Sequence, residues 1–110
     1  MMLGPALSGL CVAFVALAAL ARANEASADA ARGRLLAERS CAQCHALEPG
    51  QASANPKAPA FSAIAEEPSA TEYSLRIFLQ TTHQTMPNFI LVPDDIEDLV
   101  GYIRSLKTRR

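Results

Sequence analysis

The feature that most constrains this chain is the five-residue run Cys41-Ala-Gln-Cys-His45, with two thiols three positions apart and an imidazole directly after the second. The run lies in a chain of 110 residues, which is enough for one small domain. A polypeptide of that size buries little apolar surface and usually needs a disulfide, a metal or a cofactor for a stable fold. We therefore expect the fold to be organised around whatever these three side chains hold.

The spacing Cys-x-x-Cys-His is typical of covalent haem attachment. Two thiols at this separation can add to the two vinyl groups of one porphyrin, and the following imidazole can then turn towards the iron. Three other interpretations compete: a disulfide between Cys41 and Cys44, a thioredoxin-like redox pair, and a zinc site shared with His83. The redox pair needs a βαβ context, which the sequence lacks, and adjacent Cys44 and His45 make poor joint zinc ligands. One covalently attached haem c, with its iron, is the favoured cofactor.

The N-terminal segment differs in character from the rest of the chain. Residues 7–20 are apolar, and the small-x-small tripeptide Ala21-Arg22-Ala23 follows them. This order predicts a secretory signal peptide, residues 1–23, although no Lys or Arg precedes the apolar run. The run is short for a bilayer span, and an uncleaved membrane anchor is the alternative. Cys11 lies inside the run and would be removed with it.

Cleavage after Ala23 would leave a single domain of residues 24–110. Without Arg22, 9 basic and 11 acidic side chains remain, so the formal charge is −2. This balance argues against a nucleic-acid partner or an anionic membrane surface. We expect a monomer in the periplasm with no stable membrane insertion.

The hydrophobic pattern predicts an all-α fold, since no segment alternates as a strand would. Three main helices are expected, at residues 24–40, about 69–81 and 93 onwards, with one short helical turn at residues 61–65. Ser69 and Glu72 fit a capping box at the start of the helix at about 69–81. Pro93 is a favoured first-turn residue of the last helix.

The chain resembles class I cytochromes c, especially the short bacterial periplasmic members, over nearly all of residues 24–110. Four features carry the resemblance, in the family's order: Gly33 in the helix before the haem motif, Pro59 in the loop after it, Met86-Pro87 after a central helix, and the closing segment 98–106. The haem motif alone occurs in many cytochromes, whereas the four features together are specific.

The resemblance implies a role for each candidate site residue. Cys41 and Cys44 would hold the haem, and His45 would bind the iron. Met86 would be the second axial ligand, whereas from the residues alone His83 is an equal candidate and an open position is a third possibility. The carbonyl of Pro59 would accept a hydrogen bond from the imidazole and so increase its basicity.

The resemblance also implies a contact between the first and last helices at Gly33 and Tyr102. Four apolar residues are expected in the core or the haem pocket, with plain core the simpler expectation: Phe61, Leu75, Phe78 and Leu99.

The implied function is electron transfer rather than catalysis. An iron with two protein ligands has no open position for a substrate, so we expect a non-enzymatic carrier that meets redox donors and acceptors transiently. Two alternatives stay open: a haem subunit of a periplasmic oxidoreductase, and a haem sensor or peroxidase-like enzyme with an open axial position.

Overall fold

The computed structural model describes residues 30–82 and 85–109. Within these ranges it contains four helices and no strand, which confirms the all-α fold. The helices are α1, helical over residues 30–40, α2 (Phe61–Glu66), α3 (Glu72–Gln80) and α4 (Pro93–Ser105). The predicted signal peptide, Cys11, the predicted helix start at Asn24 and His83 lie outside the described residues.

Helix α4 is the central element of the fold. Pro93 opens it, Asp94 and Asp95 lie in its first turn and Arg104 lies in its last, an arrangement that complements the helix dipole. Helices α2 and α3 both pack against it. Six of its residues are buried, five of them apolar or aromatic and one a carboxylate: Ile96, Asp98, Leu99, Val100, Tyr102 and Ile103.

Helices α1 and α4 cross at Gly33. A Cβ atom at this position would lie 1.9 Å from the backbone oxygen of Asp98 and 2.9 Å from Cβ of Tyr102. No other residue fits such an approach, so the expected contact at Gly33 and Tyr102 is confirmed. Beside it, Arg32 Nε donates to the carboxylate of Asp98 at 3.0 Å and joins the two helices by charge.

The start of α3 differs from the prediction. Thr71, not Ser69, is the N-cap, and its hydroxyl accepts a hydrogen bond from Ser74 N at 3.1 Å. Ser69 lies one turn earlier, where its carbonyl accepts from Thr71 N and from the Ser74 hydroxyl. The capping-box spacing was therefore misleading, because the helix begins at Glu72 and the residue directly before it, Thr71, caps it.

The hydrophobic core joins α2, α3 and α4 to the end of α1. Phe61, Leu75 and Leu99 are buried in it as expected. Phe78 is not, since 49% of its surface is exposed, so plain core was the wrong expectation for that residue. No helix in the described part of the chain is both long and apolar enough to cross a membrane.

Candidate functional site

The cysteine motif forms a tight turn that continues directly from α1. Cys41 N donates to Ala37 O at 2.8 Å, and the amides of Cys44 and His45 both donate to Cys41 O, at 3.1 and 2.9 Å. Both thiols are partly buried and not joined to each other, so the disulfide interpretation does not describe this structure. Burial raises the pKa of the Cys41 thiol.

The imidazole of His45 has a defined hydrogen-bond partner. Its Nδ1 lies 2.6 Å from the carbonyl oxygen of Pro59. A carbonyl can only accept, so this bond requires the proton on Nδ1, and in a neutral imidazole the lone pair then lies on Nε2. That tautomer is the one in which Nε2 can bind a metal.

A frame of backbone and aromatic contacts surrounds this bond. The carbonyl of Ala46 accepts from Phe61 N at 2.9 Å, next to the segment that carries Pro59. The rings of His45 and Phe61 have centroids 5.3 Å apart, and the ring of Tyr102 lies 6.2 Å beyond Phe61. The buried Tyr102 hydroxyl donates to Leu47 O at 3.1 Å. The imidazole is thus tied to α2 and α4 as well as to its own turn.

Met86 lies in a different setting. It is half-buried at the edge of an open cleft, whose apolar lining comes from the end of α3 and the loop before α4: Phe78, Leu79, Met86, Pro87, Phe89 and Leu91. Among the described residues 85–91, no hydrogen bond fixes the loop. Because Met86 lies in a loop, its thioether can turn towards a soft metal without disrupting a helix.

Some large apolar side chains are exposed, and two of them, Phe78 and Phe89, line the cleft. The others are Leu35, Ile77, Ile90 and Val92. Ile90 is completely exposed. Where such side chains lie together, as Phe78 and Phe89 do in the cleft, exposed apolar surface is typical of a place where another group binds.

The side chains that could donate to a metal (the donor set) fit some kinds of metal centre and not others. Within the described ranges, no group of three or more His, Cys, Asp or Glu side chains could hold a bare metal ion. The zinc interpretation also involved His83, which lies outside those ranges. An imidazole held through Nδ1, two unpaired thiols beside it and a thioether in an apolar cleft fit an iron porphyrin attached through thioethers.

Two polar contacts had no recognisable signal in the sequence. Ser53 accepts a hydrogen bond from Ala46 N through its hydroxyl, at 2.9 Å, and is an isolated serine in an irregular loop. In the sequence, Asp98 is one of several acidic residues near the start of α4, yet in the structure it is buried against Arg32. The first contact depends on how the loop after His45 folds back, and the second on which helix packs against α4, and neither is a local signal.

Known proteins give an independent indication. The family model for cytochrome c oxidase, cbb3-type, subunit III matches residues 28–103. A curated relative, cytochrome c-552 of Bradyrhizobium diazoefficiens, is 37% identical over 101 residues, which cover 92% of this chain and 95% of the relative. No solved structure matches the chain. The fold, the donor set and these two matches together show that the chain belongs to the cytochrome c family, as a small class I c-type electron-transfer cytochrome with covalently attached haem c.

Proposed function

We propose that this cytochrome is a periplasmic carrier of single electrons, in which His45 and Met86 bind the iron and Cys41 and Cys44 attach the haem. The bound haem supplies the ferric–ferrous couple. The observation that carries the proposal is the 2.6 Å contact between His45 Nδ1 and Pro59 O, because Nδ1 is engaged with the carbonyl and Nε2 is the ring nitrogen left to bind the iron.

The protein side chains divide the work. Cys41 and Cys44 would hold the haem through thioethers and keep it on the protein in a dilute compartment. His45 would supply a nitrogen ligand to the iron, and Met86 would supply a soft sulfur ligand, which would favour ferrous iron and raise the reduction potential. With both ligands from the protein, no position would be open to oxygen or a substrate, so we expect a carrier rather than an enzyme.

The setting follows from the sequence. A cleaved segment of residues 1–23 would deliver the domain to the periplasm. The formal charge of −2 on residues 24–110 supplies no strong electrostatic steering. Brief contacts of a monomer with separate redox donors and acceptors suit such a surface, because redox pairs use small interfaces.

Absorption spectra of the mature protein, made with the haem-attachment machinery present, test this proposal first. We expect sharp c-type bands when it is reduced and the weak far-red sulfur-to-iron band when it is oxidised. Haem bands without the sulfur feature would reject Met86, and rapid carbon monoxide binding would favour a sensor or peroxidase-like role. A protein with no haem would refute the whole proposal.

A second candidate function is a haem subunit of a periplasmic oxidoreductase. It is favoured by the description of the matching family model, which names a subunit of an oxidase. A subunit would co-purify with its partner polypeptide at a fixed ratio after solubilisation of the membrane. A free carrier would elute alone, at the size of one chain.

A further inference from the structure

The residue after His45 is held through both its N–H and its C=O, which belong to the peptide groups on either side of it. Ala46 N donates to the hydroxyl oxygen of Ser53 at 2.9 Å, and Ala46 O accepts from Phe61 N at 2.9 Å. Only 5% of the surface of Ala46 is exposed, so water does not readily replace either bond. The amide of Ala46 therefore depends on the side chain of Ser53.

These bonds form a closed ring with the imidazole. From His45 the ring passes to Ala46 and across the hydrogen bond to Phe61. It then returns along the backbone to Pro59, whose carbonyl accepts from His45 Nδ1. Ser53 bonds to this ring at the Ala46 corner. Because the ring is closed, a rotation of the His45–Ala46 peptide alters the geometry of the hydrogen bond from His45 Nδ1 to Pro59 O.

We propose that Ser53 is a positioning residue for the axial histidine. By accepting from Ala46 N, it fixes that peptide and keeps His45 Nδ1–H directed at Pro59 O. The inference rests on the proposed ligation of iron by His45. A well-aligned Nδ1–H bond raises the electron density on the imidazole, which stabilises ferric iron more than ferrous iron. Ser53 thereby keeps the reduction potential lower than an unconstrained imidazole would.

The test compares Ser53→Ala with Ser53→Thr in the haem-loaded protein. Ser53→Ala removes the acceptor, and we expect a more positive reduction potential. We also expect exchange of the His45 Nδ1 proton, followed by NMR, to be faster by on the order of tenfold, the factor that one lost hydrogen bond supplies. Ser53→Thr keeps a hydroxyl and should return both values towards wild type.

Ser74→Ala is the matched control. Ser74 is also partly buried, and its hydroxyl donates to Ser69 O at 2.6 Å, but it lies at the start of α3. This variant should lose stability without moving the potential or the Nδ1 exchange rate. If Ser53→Ala behaves in the same way, Ser53 only braces its loop and the proposal is wrong.

One measurement needs no variant, in case Ser53→Ala fails to fold. The Ala46 amide of the wild-type protein should exchange slowly, and fast exchange would overturn the proposal. Failure of the ligation itself is separable from these outcomes. It would appear in the wild-type spectrum as a missing histidine–methionine signature, whatever Ser53 does.

Discussion

The two proposed axial ligands lie in regions built in different ways. His45 lies in a segment (residues 41–61, the His45 segment) whose turn, imidazole and following residues all make hydrogen bonds to the fold. Met86 lies in a loop (residues 85–91, the Met86 loop) in which no described residue makes a hydrogen bond. The polypeptide thus holds one proposed ligand in a hydrogen-bonded frame and gives the other no such frame.

The difference has a physical origin in the helices behind each region. The His45 segment follows α1, which is locked to α4 at Gly33, and its far end begins α2. The Met86 loop lies in the connection between α3 and α4, and most of its side chains line the cleft, while Leu91 also packs against the core. We therefore expect substitutions behind the His45 segment to change the free energy of unfolding. Substitutions in the Met86 loop should instead change the ligation and the reduction potential of the iron.

The largest effect is expected from Gly33→Ala. The new Cβ would meet the backbone oxygen of Asp98 at 1.9 Å, and a backbone carbonyl in a helix cannot move aside. The helices would have to separate, which should reduce the free energy of unfolding by about 3 kcal/mol or more. Chemical denaturation of the haem-loaded protein measures it.

Gly101→Ala is the matched control for that prediction. It adds the same methyl group to the partner helix, where a Cβ would meet nothing within 4 Å from other parts of the described chain. Since alanine is the better helix former, we expect a gain of about 0.5–1 kcal/mol. Equal losses in both variants would show that the close crossing is not what Gly33 provides.

The same contrast explains how much the sequence could predict. The helices and the contact at Gly33 were predictable, because periodicity and capping are local signals and the family resemblance supplied the crossing. The cap of α3 was predicted wrongly, since Ser69 and Thr71 both fit the local chemistry and only the preceding turn decides between them.

The site was predictable where its residues form a contiguous motif and unpredictable where they do not. Cys41, Cys44 and His45 are adjacent in sequence, so their spacing carried the haem assignment. Ser53 and Asp98 contribute through partners that other parts of the fold bring to them. Phe78 has the periodicity of a core residue, and the sequence does not reveal that its face lines a cleft.

The second prediction concerns the iron. Met86→Ala should leave the haem attached and the fold intact, because the Met86 loop adds no hydrogen bonds to the described core. Loss of the sulfur should lower the potential by on the order of a tenth of the roughly 0.8 V range that axial ligands span. It should also allow the reduced protein to bind carbon monoxide, which stopped-flow absorption detects.

His83→Ala is the control for that change, since His83 is the rival ligand. It should leave the potential and the far-red band as they are. The reverse result, an unchanged spectrum in Met86→Ala and a changed one in His83→Ala, would assign the iron to imidazole on both faces.

The third prediction returns to the His45 segment and is smaller. Tyr102→Phe keeps the ring against Phe61 and removes only the hydroxyl that donates to Leu47 O. One lost hydrogen bond at a buried carbonyl should cost about 1 kcal/mol of unfolding free energy. Tyr73→Phe removes the same hydroxyl from an exposed position on α3 and should cost almost nothing. Similar losses in the two variants would mean that the Tyr102 hydroxyl is not what ties Leu47 to α4.

The smallest effect concerns the charge contact that holds α3, and with it one wall of the cleft, against α4. Arg76 donates to both carboxylate oxygens of Glu97, and this holds the pKa of Glu97 below its ordinary value. The lowered pKa means that the contribution is complete above the ordinary value of 4.5 and is lost as the pH falls through the folded-state pKa. Glu97→Gln should therefore have a slightly lower melting temperature than wild type at neutral pH, and this difference in melting temperature (the gap) should disappear in acid. The pair is exposed, so added salt should also narrow the gap. Glu67→Gln, an exposed change at the end of α2, should show neither dependence, and a pH-independent gap for Glu97→Gln would rule out the ion pair as its cause.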